Sequence, residues 1–296
     1  MKYPFYTLDV FTTEVFTGNP LAVVLEAQSL DTEKMQKIAV EFNLSETVFV
    51  LPPEDEANTA RLRIFTPDRE LTFAGHPTIG TAILLADLFG LEGEVRLEEG
   101  VGLVPVALEN REHGTFAKLS AAVMPEPWTN VPYDKKITAA LSLKENQIGF
   151  GTHRASVFNP GNHPMLYVPL KDRKALAEAK ISMADWPALG TAGAFLVYLY
   201  CEGKVGSGVS YHARAYTPLT GIFEDPATGS AAAGFPGPLL SYEGPWEGTG
   251  QWVIMQGEDM GRPSRIELEA DAVNGSLKAI RVGGHAVMVS AGKLDL

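Results

Sequence analysis

Two stretches of the chain read as copies of each other. Arg63-Ile-Phe-Thr66-Pro67 recurs as Arg214-Ala-Tyr-Thr217-Pro218, and His76-Pro77-Thr-Ile-Gly80-Thr81-Ala82 recurs as Asp225-Pro226-Ala-Thr-Gly229-Ser230-Ala231. The first block is displaced by 151 residues and the second by 149, in the same order, which points to an internal duplication. Each copy reads as a strand ending in Thr-Pro, a short loop, and a helix with Pro in its first turn, where the missing N–H costs nothing and the fixed φ helps. The polar residue just before that Pro is His76 in one copy and Asp225 in the other. Helix N-termini carry free N–H groups and the positive end of the helix dipole, so two such turns facing one cleft across a pseudo-twofold would hold a carboxylate. Gly80 and Gly229 are expected to admit close approach of backbone to ligand. On local grounds Ser230 also reads as a helix cap, but two copies of the same device favour the ligand-binding reading.

Outward from the repeat, short alternating runs of β-branched and aromatic residues dominate: residues 3–11, 47–51, 60–66, 165–170, 195–200, 251–256 and 285–290. Each predicts a strand bounded by Gly, Pro, Asn or Asp. Helical periodicity is rarer. It marks Asp31 to Phe42, where Leu30, Met35, Ile38, Ala39 and Phe42 share a face, and Pro77 to Leu88, which is apolar nearly all round and so reads as a buried helix. Residues 124–136 are rich in Pro and polar residues and fall near mid-chain, as an inter-lobe linker should. The expected fold is α+β with two lobes, 1–125 and 130–280.

Composition narrows the function classes. A 296-residue chain with 45% hydrophobic residues can bury a large core. Twenty-four Lys and Arg against 36 Asp and Glu give a net charge of −12, with no basic run to track a phosphate backbone, which argues against nucleic acid as a partner. The single cysteine, Cys201, excludes an internal disulfide, a CxxC metal site and a two-thiol mechanism. No signal-peptide pattern and no run of 18 apolar residues is found, so a cytoplasmic protein is expected. His153, His163 and His212 are scattered without a metal-ligand spacing and read as structural or surface residues. His285, in a Gly-Gly-His turn, has a weaker claim to lining the cleft.

The chain also resembles a known family. FTGNPLAVV (16–24), NLSETVFV (43–50), FAGHPTIGTA (73–82), EDPATGSAA (224–232) and VGGHAVMVSAGKL (282–294) resemble the PhzF-like isomerases of phenazine biosynthesis in order and spacing, over nearly the whole chain. The resemblance implies the diaminopimelate-epimerase fold: two similar lobes, each a curled, mostly antiparallel sheet around a central helix, the first completed by residues 284–296. It implies a homodimer without metal or organic cofactor. It also implies that Glu46 of the SET motif transfers a proton on a small carboxylic acid, while His76, Asp225 and Ser230 hold the substrate and assist. Asn19, Ser45, Gly75, Thr78, Gly80, Thr228 and Gly229 are the expected substrate-binding positions. On position alone Glu46, between a helix and a strand, reads as a cap or a solvent-facing carboxylate, and His76 as a loop histidine with a structural hydrogen bond.

One departure from the family pattern is the second repeat helix, SAAAGFPGPLLSY, which Pro236 and Pro238 should shorten or kink. Three functions fit the sequence. The first is a cofactor-independent isomerase in which one carboxylate takes a proton and returns it on the same face. The second is an epimerase or racemase using Glu46 with His76 or Asp225 as a second base. The third is a non-catalytic small-carboxylate binding protein.

Overall fold

The structure, a computed structural model, describes residues 1–161, 163–190, 196–218 and 222–296. The chain divides into two compact units. Unit 1 comprises Met1–Ser120, Gly261–Arg265 and Gly283–Leu296; unit 2 comprises Ala121–Met260 and Ile266–Val282. Each run read as a strand coincides with a strand, except that Phe11, Thr66 and Leu170 lie just past the strand ends and Phe195 falls outside the described residues.

In unit 1, β1 (Lys2–Val10) pairs antiparallel with β2 (Asn19–Val24). Helix α1 (Thr32–Phe42) starts where the Asp31 carboxylate accepts from Lys34 N at 2.8 Å, and it stops at Asn43, which takes the left-handed conformation that Asn tolerates. The chain returns as β3 (Glu46–Leu51), parallel to β2, and turns back as β4 (Ala60–Phe65) and β5 (Glu70–Leu71), each antiparallel to its predecessor. Helix α2 (Gly75–Phe89) follows, then β6 (Glu94–Glu99), parallel to β4, and the meander β7 (Gly102–Arg111) and β8 (Gly114–Ser120). Residues His76 to Ala86 of α2 are all buried, and the helix packs against β1, β2, β3, β6, β7 and β8. A helix wrapped this way must be apolar on every side, as its sequence is. Met35 and Ile38 of α1 cluster with Val24, Phe49 and Phe65, so β3 is buried on both faces.

Unit 2 holds β9 (Glu126–Pro127), α3 (Asp134–Leu141), β10 (Ser156–Asn159), β11 (Met165–Pro169), α4 (Arg173–Glu178) and α5 (Pro187–Gly190). Next come β12 (Leu196–Glu202), parallel to β11; β13 (Tyr211–Thr217), antiparallel to β12; and β14 (Ile222–Asp225), antiparallel to β13. Then follow α6 (Gly229–Gly234), α7 (Pro236–Tyr242) and β15 (Gly248–Gln256), parallel to β13. The last strands, β16 (Ser264–Val273) and β17 (Ser276–Asp295), each divide between the units, and β17 pairs with β1 from Lys2↔Asp295 to Val10↔Ala286. The stretch 124–136 belongs to unit 2, where Glu126–Pro127 pairs with β10 and Asp134 opens α3.

The repeat therefore lies on one local path traced twice: a parallel strand pair, an antiparallel strand, a short return strand, a helix, and a strand parallel to the repeat strand. Its arginines do the same work. Arg63 Nε and Nη2 donate to the two carboxylate oxygens of Glu70, each at 2.7 Å, and Arg214 Nε and Nη2 donate to those of Glu224 at 2.7 and 2.9 Å.

Two expectations change. Helix α2 begins at Gly75, so His76 lies inside its first turn and not before it. In the second copy the helix begins only at Gly229, and Pro226 sits in the turn ahead of it, because Thr228 N is drawn to Gln256 Oε1 at 3.2 Å. Pro236 and Pro238 interrupt the second helix, as expected. The path breaks at Phe235 and restarts with Pro236 as the first residue of α7, the position that needs no N–H. Among the described residues, no helix is long and apolar enough to cross a membrane.

Candidate active site

In unit 1 the sequence brings one carboxylate and one imidazole together. Glu46 is the first residue of β3, opposite Leu21 of β2, and its side chain is 13% exposed. His76, 6% exposed, comes from the first turn of α2, and its Nε2 lies 3.4 Å from Glu46 Oε2. Asn19, wholly buried at the start of β2, places Nδ2 3.4 Å from His76 Nδ1. The His76 ring donates to the Pro20 carbonyl, and Nε2 has no hydrogen-bond partner among the described residues. Burial pushes the His76 pKa down to about 3, so the ring is neutral at ordinary pH. A neutral imidazole beside a carboxyl group can exchange a proton with it, which a fixed ion pair could not.

The loop before Asn19 is held from far along the chain. Arg262 Nε donates to Gly18 O at 2.9 Å and Nη2 to Thr17 O at 2.8 Å, and Nη2 pairs with Asp9 Oδ1. The other Asp9 oxygen accepts from Phe16 N at 2.6 Å. Gly18 has a φ of +67°, and a Cβ there would collide with the Val10 carbonyl, so only glycine makes this turn. Neither Arg262 nor Asp9 was legible as a site-shaping residue. The available signal was a carboxylate, Asp9, that would be buried in an otherwise apolar strand.

In unit 2, Asp225 ends β14, and Thr228 Oγ1 donates to its Oδ2 at 2.6 Å. Gln256, fully buried at the end of β15, clamps this turn: Nε2 donates to the Asp225 carbonyl at 2.8 Å and to Thr228 Oγ1 at 2.9 Å, while Oε1 accepts from Thr228 N. Ser230 is the second residue of α6 and is exposed, and Gly229 opens the helix. Gln256 was also not foreseen.

Other expected positions turn out to be internal. Thr78 is fully buried and bonds Ala74 O and Glu99 Oε1, each at 2.7 Å. A Cβ on Gly80 would lie 2.6 Å from Val10 Cγ2 and 2.7 Å from Leu21 Cδ2, so its missing side chain makes room for the sheet and not for a ligand. Asn19 reaches His76 and not an open surface. Ser45 and Gly75, flanking Glu46 and His76, are half-buried. His153 is buried against Tyr200 with Nδ1 3.0 Å from its hydroxyl, His212 pairs with Glu258 at 2.6 Å, and His285 lies against Phe116 with Nδ1 3.0 Å from Thr115 O. Cys201 is buried, and that burial pushes its thiol up to about 12, too high for a reactive thiolate. Among the described residues, no group of three or more His, Cys, Asp or Glu side chains is arranged to hold a metal ion.

The sequence profile of the family described as phenazine biosynthesis-like protein (PhzC-PhzF) matches residues 8–292. The chain belongs to this family. A relative described as an uncharacterized isomerase of Mesorhizobium japonicum is 46% identical over 292 residues, covering 97% of this chain and 96% of its own. The trans-2,3-dihydro-3-hydroxyanthranilate isomerase of Pseudomonas aeruginosa is 34% identical over 307 residues, covering 99% of each chain. Among solved structures, a PhzF-family protein of Bacillus anthracis shares the fold over 100% of both chains with a TM-score of 0.90 at 24% identity. A hydroxyproline epimerase of Agrobacterium vitis shares it more distantly, with a TM-score of 0.65 at 12% identity over 99% of this chain and 92% of its own. The fold is thus that of the PhzF proteins and the proline-racemase-like epimerases, and the protein is an isomerase of the PhzF family.

Proposed function

We propose that this protein is a cofactor-independent isomerase that shifts a proton on a small carboxylic acid held by residues of both units, with Glu46 as the proton carrier. The observation that carries the reading is the Glu46–His76 pair: a nearly buried carboxyl group 3.4 Å from an imidazole that burial keeps neutral. In the proposed reaction Glu46 takes a proton from a carbon beside an unsaturated or electron-withdrawing group. The electron pair moves into the adjacent bond as the double bond shifts, and Glu46 returns the proton to the carbon at the far end. Nothing is oxidised or reduced. His76 Nε2 receives or lends the proton as Glu46 changes state, and Asn19 and the Pro20 carbonyl hold the ring. Asp225, fixed by Thr228 and Gln256, and the exposed hydroxyl of Ser230 are assigned to holding the substrate.

The relative of Pseudomonas aeruginosa named for trans-2,3-dihydro-3-hydroxyanthranilate supports a substrate of that class. Two-base epimerisation needs proton carriers on opposite faces of the substrate. Glu46 and His76 stand side by side, which favours a single-face shift by this pair. The family resemblance behind the reading also implies a homodimer.

The test is a panel of small unsaturated and amino-substituted carboxylic acids incubated with the protein in deuterium oxide, beginning with trans-2,3-dihydro-3-hydroxyanthranilate. An isomerase gives a rearranged product carrying deuterium. Inverted substrate carrying deuterium, with no rearrangement, would make it an epimerase. Acids that shift the melting temperature yet never exchange would make it a binding protein.

A further inference from the structure

Glu99 and Gln256 end the two strands that run parallel to the repeat strands. In β6 the register is Ala60↔Leu97, and in β15 it is Tyr211↔Ile254. The displacement that maps Arg63 onto Arg214 maps Ala60 onto Tyr211, so the residues two beyond these partners correspond: Glu99 in one copy, Gln256 in the other. Each is followed by glycine, Gly100 and Gly257. Each also reaches a threonine beside the start of its repeat helix. In unit 2 the Gln256 amide donates to Thr228 Oγ1, which passes its own proton to Asp225. In unit 1, Thr78 Oγ1 lies 2.7 Å from both Ala74 O and Glu99 Oε1. A hydroxyl has one proton to give, and two oxygen–oxygen contacts of that length need a proton in each. With the Thr78 proton on the Ala74 carbonyl, the second proton belongs to Glu99.

We infer that Glu99 is carried in the folded protein as a neutral carboxylic acid whose O–H donates to Thr78. It does for the first turn of α2 what the Gln256 amide does for the turn before α6, and its ionisation disturbs the turn that holds His76. Glu99 is thus a positioning residue. It is 8% exposed, and its Oε2 has no hydrogen-bond partner among the described residues, a setting in which a carboxylate is costly and a carboxylic acid is not. Burial pushes its pKa up to about 7, against a smaller downward pull from the Thr78 contact. The charged groups of the adjoining elements do not offset this. Glu98 accepts from the turn at Glu54 and Asp55, Arg61 of β4 pairs with Glu54, and β7 presents Gly102 opposite Glu99. On the site side stand neutral His76 and its neighbour Glu46. A carboxyl whose folded pKa is raised stabilises the fold below its ordinary value of 4.5, and that contribution is lost as the pH climbs through about 7.

The test uses the full-length chain labelled with carboxyl-13C glutamate. Its spectrum should show one carboxyl that stays protonated to near neutrality, absent from Glu99→Gln. A spectrum in which every glutamate has ionised by about pH 5.5 would overturn the inference. Melting temperature measured from about pH 5 to about pH 8 should fall less in Glu99→Gln than in the wild type. A Glu99→Gln protein that fails to fold would also contradict the inference, because an isosteric neutral side chain is what the inference says is already there. That the turn serves a reaction rests on the proposed function; the protonation does not. Deuterium exchange into trans-2,3-dihydro-3-hydroxyanthranilate should show an alkaline limb that Glu99→Gln removes. An alkaline limb unchanged in Glu99→Gln would overturn the link to His76, whereas no exchange in the wild type would count against the proposed function and leave the protonation to be decided by the spectrum.

Discussion

The two copies of the repeat share a chain path and differ in what they bury. In the first, α2 runs unbroken from Gly75 to Phe89, and its opening turn holds a neutral histidine against Glu46 with Glu99 behind it. In the second, the corresponding helix is broken at Phe235, and the turn before it carries Asp225 held by an amide, Gln256. Beside the repeat helix the first copy places a carboxyl group, Glu99, where the second places an amide, Gln256, which cannot titrate. The proposed roles follow this division, with Glu46 of the first copy carrying the proton and Asp225 of the second holding the substrate. The Arg–Glu forks differ in the opposite sense. The Arg214–Glu224 side chains are 10% and 15% exposed, and those of Arg63–Glu70 are 25% and 38% exposed.

That contrast in burial can be broken by mutation. Arg214→Ala should destabilise the protein by roughly 3–5 kcal/mol, because it leaves a largely buried Glu224 uncompensated and strips donors from the carbonyls of Leu176 and Ala179. Urea unfolding of Arg214→Ala beside Arg63→Ala checks this, since the second change should cost only about 0.2–1 kcal/mol. Equal losses would mean that the two forks are not the buried and exposed versions of one device.

A second difference lies in pH response. His76 has its pKa lowered by burial from 6.5 to about 3, so the unfolded chain binds a proton more readily than the folded one between those values. Stability from this group is present above about pH 6.5 and is lost as the pH falls toward 3, by an amount on the order of a few kcal/mol. His76→Asn should flatten the acid side of the melting-temperature profile. A steeper acid loss in that variant would show that His76 is not buried in its neutral form.

Gln256→Ala should cost about 1–3 kcal/mol, because Thr228 N and the Asp225 carbonyl lose their buried partner. The conservative change Gln256→Glu sharpens the comparison with Glu99. It should make the second copy pH-sensitive, with a melting temperature that falls as the pH rises toward neutrality. A pH-insensitive Gln256→Glu protein would argue against reading the two positions as equivalents.

Much of this was legible in the sequence because it is local. The repeat blocks, the helical run to Phe42, the all-round apolar α2 and the Pro236 break each follow from residues adjacent in the chain. Glu46 and His76 were legible through their motifs, although neither motif shows that the two side chains meet 30 positions apart. What escaped depends on distant pairing. Glu99 and Gln256 reach the site only because β6 and β15 lie parallel to β4 and β13, and parallel neighbours are necessarily far apart in sequence. Arg262 reaches the 16–18 loop from more than 240 residues away. Gly80 carried a real signal that was given the wrong cause, since a glycine inside a buried helix fits close sheet packing as well as close ligand approach.

The most direct test of the division between the copies is deuterium exchange into the acid identified by the panel, compared for Glu46→Gln and Asp225→Asn, with a melting curve for each. Glu46→Gln should lose about 10²–10⁴-fold in exchange rate while still binding the acid. Asp225→Asn should weaken binding by roughly 10- to 100-fold, the range of one hydrogen bond to a charged group, and keep exchange at saturating acid. Wild-type exchange in folded Glu46→Gln, with exchange abolished in Asp225→Asn, would contradict the account and move the proton transfer to the second copy.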